Sequence, residues 1–159
     1  MSFRPSARQT LILFVVAWTA WIAIQAWRSR SSSAASDTAI AVAGPAKANR
    51  VVAYYFHVTA RCTTCMTIQA YTAEALTAGF RDALASGELE FRPVNIQRAE
   101  NRHFIQDYKL YTRSVVIARF DEGRQIEWKN LENVWDLTES KPAFASYVRR
   151  HVREYLGRL

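Results

Sequence analysis

The longest apolar run of the chain lies near its N-terminus. Residues 10–27 carry no charged side chain, and they are apolar around the whole circumference of a helix. Eighteen residues in a helix extend over roughly 27 Å, close to the hydrocarbon thickness of a bilayer. The pattern therefore predicts an N-terminal flank over residues 1–9 and a single transmembrane helix over residues 10–27.

A cleaved signal peptide is the alternative interpretation of this run. Arg4 and Arg8 would supply its basic start, and small residues at 33–35 and 41–43 offer cleavage sites. The run is longer than the ~7–15-residue apolar core of a typical signal peptide, and Arg28 and Arg30 follow it closely. These features favour a retained anchor. A buried helix of a globular core fits less well because such helices keep a polar face.

The chain changes character twice after the apolar run. Residues 28–49 are rich in serine and alanine, which bury little surface, so they predict a flexible linker. Residues 50–159 alternate between strand-like and helix-like patterns and predict one folded domain. The expected strands are residues 51–56, 89–96, 114–120 and 125–129, and the expected helices are 64–86, 100–108 and 141–156. This order predicts an α/β fold with a β-α-β-α-β-β-α core after the transmembrane helix.

Several positions refine these elements. Gly87 is expected to close the first helix, and Pro93 marks the second strand as an edge strand or an irregular end. A buried stripe is expected along the last helix and on one side of the short helix, formed by Phe144, Tyr147, Val148, His151, Val152 and Tyr155, and by Phe104, Ile105 and Tyr108. The tyrosines are expected to pack in the core: Tyr54, Tyr55, Tyr108, Tyr111, Tyr147 and Tyr155.

Charge and short motifs narrow the function classes. The chain carries a formal net charge of +7, of which +5 falls in residues 1–50, with six basic residues and one acidic residue. The folded domain is thus nearly balanced, which argues against a nucleic-acid partner because such a domain needs a basic surface. Basic flanks beside an apolar run fit a membrane segment. The sequence has no glycine-rich phosphate loop and no G-x-S-x-G element, so nucleotide binding and acyl transfer lack support.

The two cysteines, Cys62 and Cys65, are the strongest chemical signal. They lie between the first strand and the first helix, where a C-x-x-C pair is typical of redox chemistry. Unpaired N–H groups at a helix start favour a thiolate and lower the pKa of the thiol. Cys62 is therefore the predicted nucleophile and Cys65 the predicted resolving cysteine. No metal or other cofactor is expected; a static disulfide and capture of a soft ion such as trivalent arsenic remain the alternatives.

Neighbouring side chains are candidates for tuning this pair. The positive charge of Arg61 favours the thiolate of Cys62, and the hydroxyl of Thr63 or Thr64 can donate a hydrogen bond to it. His57 is a core or loop histidine, or else it acts on the proton of Cys65 or helps to bind a substrate. Arg113 either holds an anionic substrate or is an ordinary solvated arginine.

The element order and the run Arg61-Cys62-Thr63-Thr64-Cys65 resemble the thioredoxin fold over residues 50–156. The resemblance implies a cofactor-free thiol–disulfide oxidoreductase, with the loop before the third strand facing the cysteines. Thioredoxins usually carry Trp before the pair, Gly-Pro within it, a buried carboxylate on the first strand and a cis-proline in that loop. This chain has Ser114 or a neighbour at the proline position, so a trans loop is expected.

A narrower resemblance rests on five runs: residues 54–57, 62–65, 88–91, 95–96 and 128–131. They are similar to a small bacterial thioredoxin-like family, the ArsF-type subunit of a nitrophenyl-compound nitroreductase linked to arsenical resistance. This implies a redox subunit that works with a membrane redox protein.

Together these features predict a single-pass protein of the bacterial inner membrane with a periplasmic domain. Its expected activity is thiol–disulfide exchange with a protein disulfide or dithiol partner, within a nitroaromatic or arsenical reduction system. The alternative is a non-catalytic accessory or soft-ion-binding subunit with the same fold.

Overall fold

The computed structural model describes residues 46–159. The predicted flank, the transmembrane helix and the linker up to residue 45 lie outside the described residues. No helix within residues 46–159 is long and apolar enough to cross a membrane. Three residues of the predicted linker already bond to the domain: Lys47 pairs with Glu88, while Ala48 and Asn49 bond to the turn at residues 122–123.

Four strands form one sheet in the order β2-β1-β3-β4. They are β1 (Arg50–His57), β2 (Leu89–Asn95), β3 (Ser114–Asp121) and β4 (Arg124–Asn130). β1 runs parallel to β2 and antiparallel to β3, and β3 runs antiparallel to β4. β1 is buried along nearly its whole length because it has neighbours on both sides and helices over both faces.

The helices are α1 (Thr63–Gly79), α2 (Arg81–Ser86), α3 (His103–Asp107) and α4 (Lys141–Leu156). Short 3-10 turns occupy Ala99–Asn101 and Glu132–Val134. α1 and α4 pack on each other and on the face of β1 that carries Val51, Ala53 and Tyr55. The opposite face, with Val52, Tyr54 and Phe56, is covered by Phe104, Tyr108 and Leu110. The result is a mixed α/β fold in which one four-stranded sheet has an apolar cluster on each face.

Most predicted elements are confirmed within one or two residues. β2 is an edge strand, as Pro93 predicted, and Gly87 ends α2 with a left-handed φ of 77°. The stripe on α4 is buried at Phe144, Val148, His151, Val152 and Tyr155, with Tyr147 partly buried against the same core.

The predicted helix over 64–86 is wrong in one respect, because it is two helices. Phe80 leaves helical geometry at φ −145° and ψ 41°, directly after Gly79. The break keeps the Phe80 N–H bonded to the Leu76 carbonyl at 2.8 Å, and it allows both Phe80 and Leu84 to reach the core.

Three smaller expectations are also wrong. The helix predicted over 100–108 is a 3-10 turn followed by α3, which begins only at His103. Ile105 is 39% exposed, because the short α3 turns only Phe104 and Tyr108 toward the sheet. Tyr111 is 97% exposed rather than part of the core. The chain turns outward after Leu110, and Tyr111 has no apolar surface above it.

Candidate functional site

Cys62 is the residue that caps the start of α1. Its backbone is extended, at φ −88° and ψ 163°, and its Sγ accepts a hydrogen bond of 3.1 Å from the backbone N–H of Cys65. The first turn of α1 contains no acidic side chain. A sulfur in this position faces backbone N–H groups that have no partner within the helix, so the electrostatics favour a negative charge on it.

The two cysteines are joined by a disulfide, with their Cα atoms 5.1 Å apart. They differ in access: Cys62 is exposed, whereas Cys65 is 1% exposed. Thus a partner molecule in solvent can reach Cys62, and it reaches Cys65 only by way of Cys62.

Tyr55 lies beneath the disulfide and was not predicted as a site residue. Its ring is 0% exposed, and its hydroxyl donates a 2.6 Å hydrogen bond to the carbonyl of Cys65. Burial raises the pKa of Tyr55, and the positive charges of Arg61 and Arg113 counteract part of that rise. Both guanidinium groups therefore lie close enough to the Tyr55 hydroxyl to affect its ionisation.

The residues flanking Cys62 lie on the surface. The Arg61 guanidinium donates a hydrogen bond to Gln69, one helical turn beyond Cys65, so it lies against α1 beside the cysteine pair. Thr63 and Thr64 are both exposed. Their hydroxyls make no hydrogen bond to any other described residue, so they are free to turn toward a thiolate or an incoming partner.

His57 ends β1 and is 7% exposed. Its ring stacks on that of Tyr55, with centroids 5.9 Å apart, and its Nδ1 lies 3.1 Å from the carbonyl oxygen of Val58. His57 is therefore an ordered, packed residue on the face of the sheet that carries the cysteines, close to Tyr55.

The loop before β3 does face the cysteine loop. The Arg113 guanidinium lies 3.5 Å from the carbonyl of Ala60, and the carbonyl of Arg113 accepts a 2.9 Å hydrogen bond from the indole of Trp135. Ser114 is 4% exposed, and its hydroxyl donates to the carbonyl of Thr112 at 3.0 Å. All peptide bonds of residues 46–159 are trans, as expected for this loop.

Two exposed side chains that neighbour predicted site residues in the sequence were not predicted. Met66, which follows Cys65, is 51% exposed, and Tyr111 is 97% exposed. Met66 could have been found from helical spacing, because the residue after an inward-facing cysteine points outward. The sequence offers no comparable signal for Tyr111, whose aromatic side chain is equally typical of a core.

Metal binding has little support from the geometry. Within residues 46–159, no group of three or more His, Cys, Asp or Glu side chains is placed to hold a metal ion. The chemistry that the site itself supplies is the making and breaking of the Cys62–Cys65 disulfide.

Comparison with known proteins gives little beyond this geometry. No protein-family model matches the chain, and no curated protein matches it. Among solved structures, the X-ray structure of Fasciola hepatica thioredoxin is similar over 62% of this chain and 81% of that one, with 17% identity and a TM-score of 0.35.

Proposed function

We propose that this chain is a thiol–disulfide oxidoreductase that exchanges two electrons with a protein partner through Cys62 and Cys65. The observation that carries the proposal is the position of the Cys62 sulfur. It belongs to an exposed residue, it caps α1, and it accepts the N–H of the cysteine with which it pairs. A structural disulfide has no need of an exposed sulfur at a helix start.

The proposed reaction begins with the reduced protein. The Cys62 thiolate attacks one sulfur of the partner's disulfide, forms a mixed disulfide and releases the first partner thiolate, which takes a proton from water. The Cys65 thiol then gives its proton to solvent, which restores the proton that the first partner thiolate took, and its thiolate attacks the Cys62 sulfur. This step forms the Cys62–Cys65 disulfide and releases the second partner thiolate. Two electrons have passed from the protein to its partner, and a second dithiol must return them.

The same steps run backwards when the partner is a dithiol. Cationic groups beside the sulfurs stabilise the thiolates of the reduced protein, and a stabilised reduced form makes a stronger oxidant. Arg61, next to Cys62, and Arg113, whose guanidinium lies 3.5 Å from the Ala60 carbonyl, would act in this sense. A measured reduction potential gives the direction of the physiological reaction.

The proposal includes a place at the membrane. Residues 10–27 would anchor the chain in a bacterial inner membrane, with the domain on the periplasmic side. The support is the uncharged apolar run and the arginines on both sides of it. A tag at the C-terminus should react with a membrane-impermeant label in intact cells. Labelling only after lysis would place the domain in the cytoplasm.

The partner proposed from the sequence is a membrane redox protein of a nitroaromatic or arsenical reduction system. The support is the similarity of runs such as 54–57 and 62–65 to ArsF-type nitroreductase subunits. Deletion of the chain's gene should then lower nitrophenyl reduction by intact cells, and the wild-type chain should restore it. Restoration by Cys62→Ser as well would contradict a redox role in that system.

Insulin reduction driven by dithiothreitol tests the activity directly. The full chain in nonionic detergent should accelerate the reaction over dithiothreitol alone, and Cys62→Ser should abolish the acceleration. No acceleration by a folded wild-type chain would contradict the proposal. It would favour the accessory or soft-ion-binding alternative, which isothermal titration with arsenite can then test.

Trapping identifies the partner. Cys65→Ser leaves Cys62 able to attack but removes the sulfur that resolves the intermediate. The variant should accumulate a mixed disulfide through Cys62 in cells, seen as a reductant-sensitive band and assigned by mass spectrometry. The double variant with Cys62→Ser is the matched control and should trap nothing.

A further inference from the structure

The surface around the Cys62–Cys65 disulfide combines positive charge with exposed apolar side chains. Arg61 precedes the reactive pair, and Arg113 reaches toward the neighbouring Ala60 carbonyl at 3.5 Å. The two loops that meet there, residues 58–62 and 109–113, contain Arg61, Lys109 and Arg113 and no acidic residue. The first turn of α1 contains no acidic residue either, and it adds the positive end of its helix dipole.

The electrostatic effect of this arrangement reaches the site itself. Burial raises the pKa of Tyr55, whereas Arg61 and Arg113 both lower it, which places two cationic groups near the backbone of the buried cysteine. A partner that approaches Cys62 therefore meets Arg61 beside the cysteine and Arg113 beside Ala60. Among the residues that line the neighbouring groove with Tyr111, Glu132 is acidic.

Two shallow grooves adjoin this charged surface. One, of about 170 Å³, is lined by Arg61, Met66 and Ala70 on α1 and its start. The other, of about 180 Å³, is lined by Tyr111, Ser114 and Trp135. Arg61, which precedes Cys62, lines the first groove, and the 111–113 loop, which lies against Ala60, lines the second. An extended segment centred on Cys62 would enter both.

We propose that the partner presents its reactive cysteine on an extended segment that carries carboxylates beside the cysteine and an apolar side chain within a few residues. The carboxylates would pair with Arg61 and Arg113, and the apolar side chain would contact Met66 or Tyr111. This inference rests on the proposed function, since it names the chemistry of the partner in the same exchange reaction. Electrostatic complementarity of this kind acts mainly on the rate of association.

Two peptides that differ only in charge test the inference. Each carries one cysteine as a mixed disulfide with 2-mercaptoethanol, flanked by aspartates in one peptide and by lysines in the other. The rate with the reduced full chain is divided by the rate with free dithiothreitol, which removes the intrinsic reactivity of each disulfide. The aspartate peptide should react about tenfold faster at low salt, and the preference should shrink several-fold at high salt.

Arginine variants assign the effect to this surface. Arg61→Gln and Arg113→Gln should each reduce the preference several-fold, and Arg61→Lys and Arg113→Lys should keep most of it because the charge remains. Arg124→Gln is the matched control. This variant should leave the preference unchanged, because Arg124 starts β4 at the opposite end of the sheet.

A neutral disulfide separates the two hypotheses. Normal exchange with bis(2-hydroxyethyl) disulfide together with equal rates for the two peptides, or a faster lysine peptide, would overturn this inference and leave the proposed function standing. No exchange even with the neutral disulfide would overturn the proposed function, and the inference with it.

Discussion

The hydroxyl of Tyr55 donates a 2.6 Å hydrogen bond to the backbone carbonyl of Cys65. Tyr55 belongs to β1 and Cys65 to the first turn of α1, so the bond fastens the central strand to the helix that carries the cysteine pair. Both residues are buried, at 0% and 1% exposure, and water does not compete for the bond. Tyr55 thus holds the proposed resolving cysteine through its backbone.

Removal of this hydroxyl should weaken the domain. Tyr55→Phe loses one buried hydrogen bond, so the free energy of unfolding should fall by about 1 kcal/mol, measured by urea denaturation followed by circular dichroism. Tyr155→Phe is the matched control, because Tyr155 is also a buried residue but its hydroxyl makes no hydrogen bond to another described residue. Equal effects of the two variants would show that the bond adds nothing.

The charges beside Cys62 should control how readily it forms a thiolate. Arg61→Gln or Arg113→Gln should slow alkylation of the reduced protein by iodoacetamide several-fold near neutral pH, and should shift the pH of half-maximal rate upward. The reduction potential should become more negative, since the reduced form loses stabilisation. Arg124→Gln should change neither quantity. An unchanged alkylation profile in the arginine variants would show that these charges do not control thiolate formation at Cys62.

Buried His151 should make the domain less stable in acid. Burial lowers its pKa, and the charges of Lys129 and Arg150 act in the same direction, while Glu154 opposes them. The Nδ1 atom lies 3.5 Å from the Glu154 carboxylate yet has no hydrogen-bond partner among the described residues, so burial prevails.

The sign for His151 follows from linkage. A folded pKa below the unfolded value of about 6.5 means that the unfolded chain binds the proton more readily as the pH falls. The free energy of unfolding should therefore decrease from about pH 7 toward pH 5, and His151→Gln should flatten this dependence. A dependence that is as steep in the variant would assign it to other groups.

Buried tyrosines should make the domain sensitive to alkali. Burial raises the pKa of Tyr54, Tyr55 and Tyr108, so the folded state holds these protons more tightly than the unfolded state. Their contribution is fully present below the unfolded value of about 10 and is lost as the pH rises above it. Unfolding in urea should become easier at increasing pH in that range, and Tyr54→Phe should reduce the slope. A slope that is unchanged would contradict the assignment.

The sequence was sufficient for the features that depend on local pattern. Alternation and helical spacing predicted all four strands and the stripe on α4, and Pro93 correctly marked β2 as an edge. The C-x-x-C pair located the disulfide, because the two cysteines are close in sequence and lie between β1 and the start of α1.

The features that the sequence did not provide depend on contacts across the fold. The break at Phe80 depends on the core against which Phe80 and Leu84 pack. The Tyr55 bond to Cys65 joins residues ten positions apart in different elements. Tyr111 lies in the loop between α3 and β3, and the placement of that loop leaves its side chain 97% exposed. In each case the residue type fits several environments, and only the packing of neighbouring elements selects one.

The capping role of Cys62 couples chemistry to folding at a single atom. α1 has no serine, threonine or aspartate in front of it to satisfy its leading amides; the sulfur does so. Replacement by alanine would therefore fray the helix as well as remove the nucleophile. An activity assay alone would not separate these two losses. Serine, a favoured residue at helix starts, keeps the cap and deletes only the redox chemistry. A chain with serine at this position would therefore lose the redox activity and still fold.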